Sequence, residues 1–129
     1  MEDLYSQTTF NKGNILVKYS MFIGRWQPWH KGHRWLIDQR LNANKNVLIC
    51  IREVSKDDKN PYNPHVVKEN IEKELKEVVD AQRVKVIIVP DIESVNYGRG
   101  VGYEVIEHVP PEEIEEISGT KLRGDENKQ

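Results

Sequence analysis

Three runs of β-branched and other apolar residues divide this chain, and two of them are followed by segments with helical spacing. The runs cover residues 16–24, 47–52 and 84–89. Runs of this kind are typical of strands that are covered on both faces. A strand that leads through a helix to the next strand favours parallel pairing. The pattern therefore predicts an α/β fold with a parallel sheet and right-handed crossovers.

The helices are predicted from apolar spacing and from their caps. The first should begin near Trp29 and end near Asn42. The second should begin at Pro64, because Asn63 is a good N-cap and a proline in the first turn lacks only a donor that the helix cannot use. Its apolar stripe reaches about Val79. Beyond the third run, we expect a glycine loop over 97–103, a short strand over 104–109 and a last short helix that begins at residues 118–120.

Composition limits the possible partners. With 129 residues the chain fits one small domain, which we place over 15–123, between an N-terminal extension over 1–14 and a C-terminal tail over 124–129. A net charge of -2 provides no global field for a polyanion, so nucleic acid is not expected as a partner. No stretch approaches the roughly 20 apolar residues of a membrane span, and the N-terminus lacks a signal-like pattern. We therefore expect a cytoplasmic protein without a membrane partner, in which Cys50 is a buried strand residue.

The segment from Gly24 to His33 carries the strongest functional signal, because it joins the first predicted strand to its helix. Ligands of open α/β sheets bind at the carboxyl ends of the strands, and a helix N-terminus attracts phosphate. His30 and His33 are three residues apart, so both can face one anion from the first helical turn. Gly32 between them allows a ligand to approach the backbone. The segment therefore predicts a phosphate site.

The two histidines have two other interpretations. They could be ordinary polar residues at a helix start, or they could bind a metal. A structural zinc site needs a thiolate or a second histidine pair at suitable spacing. The chain offers only the scattered His65, His108 and Cys50, so phosphate binding is favoured.

The same segment resembles the His-x-Gly-His signature of the cytidylyltransferase-like nucleotidyltransferase superfamily. Residues 24–28, Gly-Arg-Trp-Gln-Pro, are most similar to the Gly-Arg-Phe-Gln-Pro opening of the archaeal-type nicotinamide-mononucleotide adenylyltransferases. Residues 117–123, Ile-Ser-Gly-Thr-Lys-Leu-Arg, are similar to a second family motif, Ile-Ser-Ser/Gly-Thr-x-x-Arg. Two motifs in the family's order are more specific than either alone.

The resemblance implies a Rossmann-like, doubly wound parallel sheet in a single small domain, and a nucleotidyltransferase activity for residues 15–123. Such an enzyme moves a nucleoside monophosphate from a nucleoside triphosphate to a phosphate-bearing acceptor and releases pyrophosphate. His30, His33 and Arg123 are the implied catalytic residues. Mg²⁺ is implied as a cofactor that is bound through the triphosphate, with no metal ligand from the protein. The implied nucleotide-binding residues are Gly24, Arg25, Gly32, Ser118, Gly119 and Thr120.

The chain departs from the family pattern in two places. Relatives carry an arginine on the helix after an Asn-Pro-aromatic segment, but residues 64–79 contain none, which leaves Lys68, Arg52 or Lys56 as substitutes. The acceptor-side sequence is also short and is replaced by residues 96–100. The acceptor and the choice between ATP and CTP therefore stay open, with adenylyl transfer favoured by the 24–28 opening.

Three further expectations follow from the same residues. One alternative function is a cytidylyltransferase that acts on a small alcohol phosphate or sugar phosphate. Another is a non-catalytic module that binds nucleotide. A homo-oligomer that completes the site by association is also compatible with the chain.

Overall fold

The computed structural model describes residues 16–58, 60–100, 102 and 104–115, and within them it has three strands and four helices. The predicted N-terminal extension, the predicted last helix and the C-terminal tail lie outside these ranges. The elements are β1 (Tyr19–Gly24), α1 (Lys31–Leu41), β2 (Asn46–Glu53), α2 (Pro64–Glu74), α3 (Lys76–Asp80), β3 (Val84–Pro90) and α4 (Glu112–Glu115).

The three strands form one parallel sheet in the order β1-β2-β3. In the register, Gly24 at the end of β1 lies beside Ile51, and Ile51 lies beside Ile88 of β3. The carboxyl ends of all three strands therefore meet at one edge of the sheet. The predicted parallel α/β sheet is confirmed. The predicted start of each strand lies within three residues of the observed start.

The core lies on one face of this sheet. Val47, Ile49 and Ile51 alternate along β2, so they point to the same side, and all three are fully buried. Both α1 and α2 pack on that side, which explains why each has an apolar stripe. The other face of the sheet carries Met21, which is 54% exposed, and Ile87, which is 38% exposed. The helical residues in the core cluster are Ile37, Leu41, Val67, Ile71 and Leu75.

The second helix is correct at its start and wrong at its end. Asn63 caps α2 as predicted, because its side-chain oxygen accepts a hydrogen bond from the backbone N–H of His65 at 2.8 Å. The helix was expected to reach Val79, but α2 ends at Glu74 and α3 follows after Leu75. Leu75 has φ -108° and ψ 23° and is 1% exposed, so its side chain remains in the core while the backbone leaves helical geometry.

The segment after the glycine loop is not the short strand that the sequence predicts. Residues 104–109 make no ladder with the sheet, and two of them, Val105 and Ile106, are exposed, at 79% and 45%. The segment instead passes β1, where the rings of His108 and Phe22 stack with centroids 6.1 Å apart. It leads to α4, which lies against α1.

No helix in the described part of the chain is long and apolar enough to cross a membrane.

Candidate functional site

The two histidines come together where β1 passes into α1. Their rings stack with centroids 3.7 Å apart and an interplanar angle of 22°. His30 is the N-cap residue of α1, and His33 is the third residue of the helix. The spacing seen in the sequence therefore places both imidazoles at the carboxyl edge of the sheet, beside the first turn of a helix.

Backbone hydrogen bonds fix which nitrogen of each ring carries the proton. The N–H of Gly32 donates to Nδ1 of His30 at 3.0 Å, and the N–H of His30 donates to Nδ1 of His33 at 3.3 Å. This is a capping box in which both side chains are histidines. A nitrogen that accepts a hydrogen bond has no proton, so each ring is neutral with its proton on Nε2. Each imidazole is therefore set as an Nε2 donor, and Nε2 of His30 lies below the surface.

Trp26 packs against the imidazole of His33. Its indole is 5% exposed, its Nε1–H donates to the carbonyl oxygen of Cys50 at 3.0 Å, and its ring meets the His33 ring edge-on at 4.9 Å. Trp29 also contacts this imidazole, with ring centroids 5.4 Å apart, and the two indole rings are themselves 6.0 Å apart. Trp26 also has φ 57°, which is unusual for a bulky residue. Because the indole is buried and hydrogen-bonded, the fold holds this backbone geometry in place.

Gly24 has a local structural reason that the sequence did not reveal. A Cβ added to Gly24 would lie 3.0 Å from Cε2 of Trp26, so the indole takes the space above Gly24. The backbone N–H of Gly32 is used by His30. Any residue except proline could donate this hydrogen bond, so close approach of a ligand stays the prediction for Gly32.

A second loop, which follows β2, is fastened to the first at two points. Gln27 is 2% exposed, and its Oε1 accepts a hydrogen bond from the backbone N–H of Tyr62 at 3.0 Å. Arg25 donates from Nη1 to Oδ1 of Asn60 at 3.2 Å. These contacts hold the loop after β1 and the loop after β2 together at the carboxyl edge.

Two of the three basic residues that could substitute for the missing helix arginine have their charge neutralised by a carboxylate. Arg52 pairs with Asp91 at 2.7 Å, which joins the ends of β2 and β3. Lys68 pairs with Glu72 at 2.8 Å on the surface of α2. Lys56 is exposed. Arg25 differs from the first two, since its partner is a neutral amide.

Cys50 is buried, as the sequence predicts, with 3% of its surface exposed. Burial raises the pKa of its thiol above the ordinary value of 9.0, because the thiolate loses its hydration. The residue is therefore a structural neighbour of Trp26. Across the described ranges, no group of three or more His, Cys, Asp or Glu side chains is arranged to hold a metal ion.

The structure thus brings together His30, Gly32 and His33 from the predicted site, and it places Gly24 at the end of β1 and Arg25 in the loop that follows. The other predicted members, Ser118, Gly119, Thr120 and Arg123, lie outside the described residues. Sequence reasoning missed the supporting side chains Trp26, Gln27 and Asn60. The only signal for them was their position in the Gly-Arg-Trp-Gln-Pro and Asn-Pro-Tyr-Asn segments, which carries no information about contacts between loops.

A scan against protein-family models gives no match to this chain, and a search of curated proteins gives none either.

Proposed function

We propose that this chain is a nucleotidyltransferase with a Rossmann-like, doubly wound fold, which transfers a nucleoside monophosphate from a nucleoside triphosphate to a phosphate-bearing acceptor. The observation that carries the proposal is the stacked His30–His33 pair with both rings set as Nε2 donors at the start of α1. Donors aimed at developing negative charge are the main requirement of phosphate-transfer catalysis. The His-x-Gly-His resemblance supports the same assignment.

In the proposed reaction, a phosphate oxygen of the acceptor forms a bond to the α-phosphorus. The bond between the α-phosphorus and its bridging oxygen to the β-phosphate breaks, and pyrophosphate leaves with that electron pair. No covalent enzyme intermediate is required, so the protein contributes through positioning and electrostatics. His33 donates from Nε2 to the phosphate chain as charge moves onto the leaving group. His30 does the same once the ligand replaces the atoms that now cover its Nε2.

Neutral imidazoles suit this role because they can donate without first taking up a proton. The positive end of the α1 dipole adds a favourable potential for an anion at the same place. Ser118, Gly119 and Thr120 are proposed to hold the β- and γ-phosphates, and Arg123 to neutralise the departing pyrophosphate. Mg²⁺ would enter bound to triphosphate oxygens, where it screens their charge.

Adenylyl transfer is favoured over cytidylyl transfer by the resemblance of residues 24–28. A cytidylyltransferase for a small alcohol phosphate or sugar phosphate has the same site residues and differs only in base and acceptor recognition. A non-catalytic nucleotide-binding module would keep triphosphate affinity but release no pyrophosphate. Pyrophosphate release therefore separates the enzyme from the module.

The test is pyrophosphate release with Mg²⁺, each of the four ribonucleoside triphosphates, and acceptors that include nicotinamide mononucleotide, phosphopantetheine, glycerol 3-phosphate and sugar phosphates. We expect release with one pair, and a loss of at least about a hundredfold in His33→Ala, which removes a transition-state donor. His65→Ala is the matched control, because His65 is an exposed histidine on α2 and its side chain plays no part in the proposed site. Triphosphate binding without release from any pair, or equal release from His33→Ala, would contradict the proposal.

A further inference from the structure

Asn60 is a buried polar residue whose side-chain orientation is fixed by its neighbours. It is 8% exposed, and Oδ1 of Asp57 accepts hydrogen bonds from both its backbone N–H, at 2.7 Å, and its side-chain Nδ2, at 3.1 Å. A carboxylate only accepts hydrogen bonds, so the amide nitrogen of Asn60 must face Asp57. The amide oxygen is thereby turned toward Arg25, whose Nη1 donates to it at 3.2 Å.

The backbone supports the same arrangement. The N–H of Asp57 donates to the carbonyl oxygen of Asn60, and the N–H of Asn60 donates to the carbonyl oxygen of Asp57, both at 3.1 Å. These bonds close the turn over residues 57–60. Asn60 is therefore a rigid acceptor, and a rigid acceptor restricts the guanidinium that it holds.

The partner of Arg25 leaves its charge intact. Arg52 and Arg34 are each neutralised by a carboxylate, at 2.7 Å and 2.9 Å. Arg25 has no ion pair with any residue in the described ranges, and Asn60 is uncharged. A guanidinium has five N–H donors in a planar fork that matches the oxygens of a phosphate. Asn60 takes up one donor and leaves others for a ligand.

Arg25 also lies in the short loop that leads from β1 to the two histidines at the start of α1. It directly follows Gly24, the last residue of β1, and precedes Trp26, which contacts His33. An oriented cation without an ion pair in the described ranges therefore lies a few residues before two neutral donors. We infer that Asn60 is a positioning residue, which holds Arg25 so that its guanidinium binds a phosphate group of the substrate. The inference rests on the proposed function, which supplies two phosphate-bearing ligands.

The experiment is a double-mutant cycle with Asn60→Ala, Arg25→Ala and the double variant, each checked for folding by circular dichroism. Calorimetry measures the affinity for Mg²⁺-ATP and, separately, for nicotinamide mononucleotide. We expect Arg25→Ala and Asn60→Ala each to weaken one of these ligands by about tenfold or more, as for a lost charge-assisted hydrogen bond. The ligand that is weakened shows whether the triphosphate or the acceptor phosphate contacts Arg25. In the double variant, the loss should equal that of Arg25→Ala alone, because Asn60 acts only through Arg25.

Asn63→Ala is the matched control, since Asn63 is an asparagine in the same loop and its side chain caps α2. It should lower stability and leave both affinities unchanged. If Asn60→Ala does not fold, Asn60→Ser keeps a hydroxyl that can donate to Asp57 but is too short to reach the guanidinium of Arg25. That variant should bind the same ligand at least about tenfold more weakly, because Arg25 has lost the acceptor that orients it.

Two results would overturn the inference while the proposed function stands. One is wild-type affinity in Asn60→Ala or Asn60→Ser. The other is a loss from Asn60→Ala that is as large in the Arg25→Ala background as in the wild type. If the wild-type chain binds neither ligand and releases no pyrophosphate with any pair, the proposed function fails, and this inference fails with it.

Discussion

Gly24→Ala is a small change at a position where the structure leaves no room for it. The backbone of Gly24 does not lie in the left-handed region, so an alanine is not excluded by its dihedral angles. Its Cβ, however, would lie 3.0, 3.2 and 3.4 Å from three atoms of the Trp26 indole. Carbon atoms prefer separations of about 3.5–4.0 Å. The new methyl group must therefore displace the ring or shift β1.

Displacing the indole is costly because it is fixed from several sides. Trp26 is 5% exposed and donates from Nε1 to the carbonyl oxygen of Cys50 in the interior. Overpacking a core by one carbon costs about 1–3 kcal/mol. Breaking the indole hydrogen bond and leaving a buried carbonyl without its donor costs a similar amount, about 1–3 kcal/mol. We expect Gly24→Ala to lower the free energy of unfolding by about 1–3 kcal/mol, by whichever route is cheaper.

The assay is urea denaturation followed by far-UV circular dichroism, which does not depend on tryptophan emission. Gly98→Ala is the matched control, because a Cβ at Gly98 meets nothing within 4 Å. It should change the free energy of unfolding by less than about 0.5 kcal/mol. The reasoning is refuted if Gly24→Ala and Gly98→Ala are equally stable.

Two further predictions concern the buried polar and titratable groups. Gln27→Leu removes the acceptor of the Tyr62 backbone N–H, so the free energy of unfolding, measured in urea, should fall by about 1–3 kcal/mol. An unchanged free energy of unfolding would show that this hydrogen bond does not join the two loops. Because burial raises the pKa of Cys50 above 9.0, the folded state holds the thiol proton more tightly than the unfolded state. The free energy of unfolding should therefore fall as the pH rises above 9.0, because the thiol ionises more readily in the unfolded state. Cys50→Ala should lack this part of the decline. Parallel pH profiles for the two proteins would contradict a raised pKa for Cys50.

The sheet could be predicted because its signal is local. An apolar run of strand length reports burial on both faces, and a helical stripe between two such runs fixes parallel pairing. The end of α2 could not be predicted, since no glycine or proline marks the break at Leu75. The strand predicted over residues 104–109 was wrong, because β-branched residues favour a strand only where another strand is available to pair with them.

The candidate site likewise has features that the sequence predicts and features that it does not. The meeting of His30 and His33 follows from their spacing at a helix start. The contacts of Gln27 with Tyr62 and of Arg25 with Asn60 each join residues that are 35 positions apart, and no local pattern encodes them. The role of Trp26 was also hidden, because a tryptophan in a loop gives no sign of where its indole will pack. Ser118, Gly119, Thr120 and Arg123 remain sequence predictions.

The most direct test of nucleotidyl transfer is to follow the two ends of the triphosphate separately. The triphosphate is labelled with ³²P either at the α- or at the γ-position and incubated with Mg²⁺ and the acceptor panel, and the products are then separated. Nucleotidyl transfer predicts that the α-label appears in a new adduct with the acceptor, while the γ-label appears in pyrophosphate. The γ-label in orthophosphate or on the acceptor, with no labelled pyrophosphate, would show that a different bond is broken and would contradict the proposed reaction.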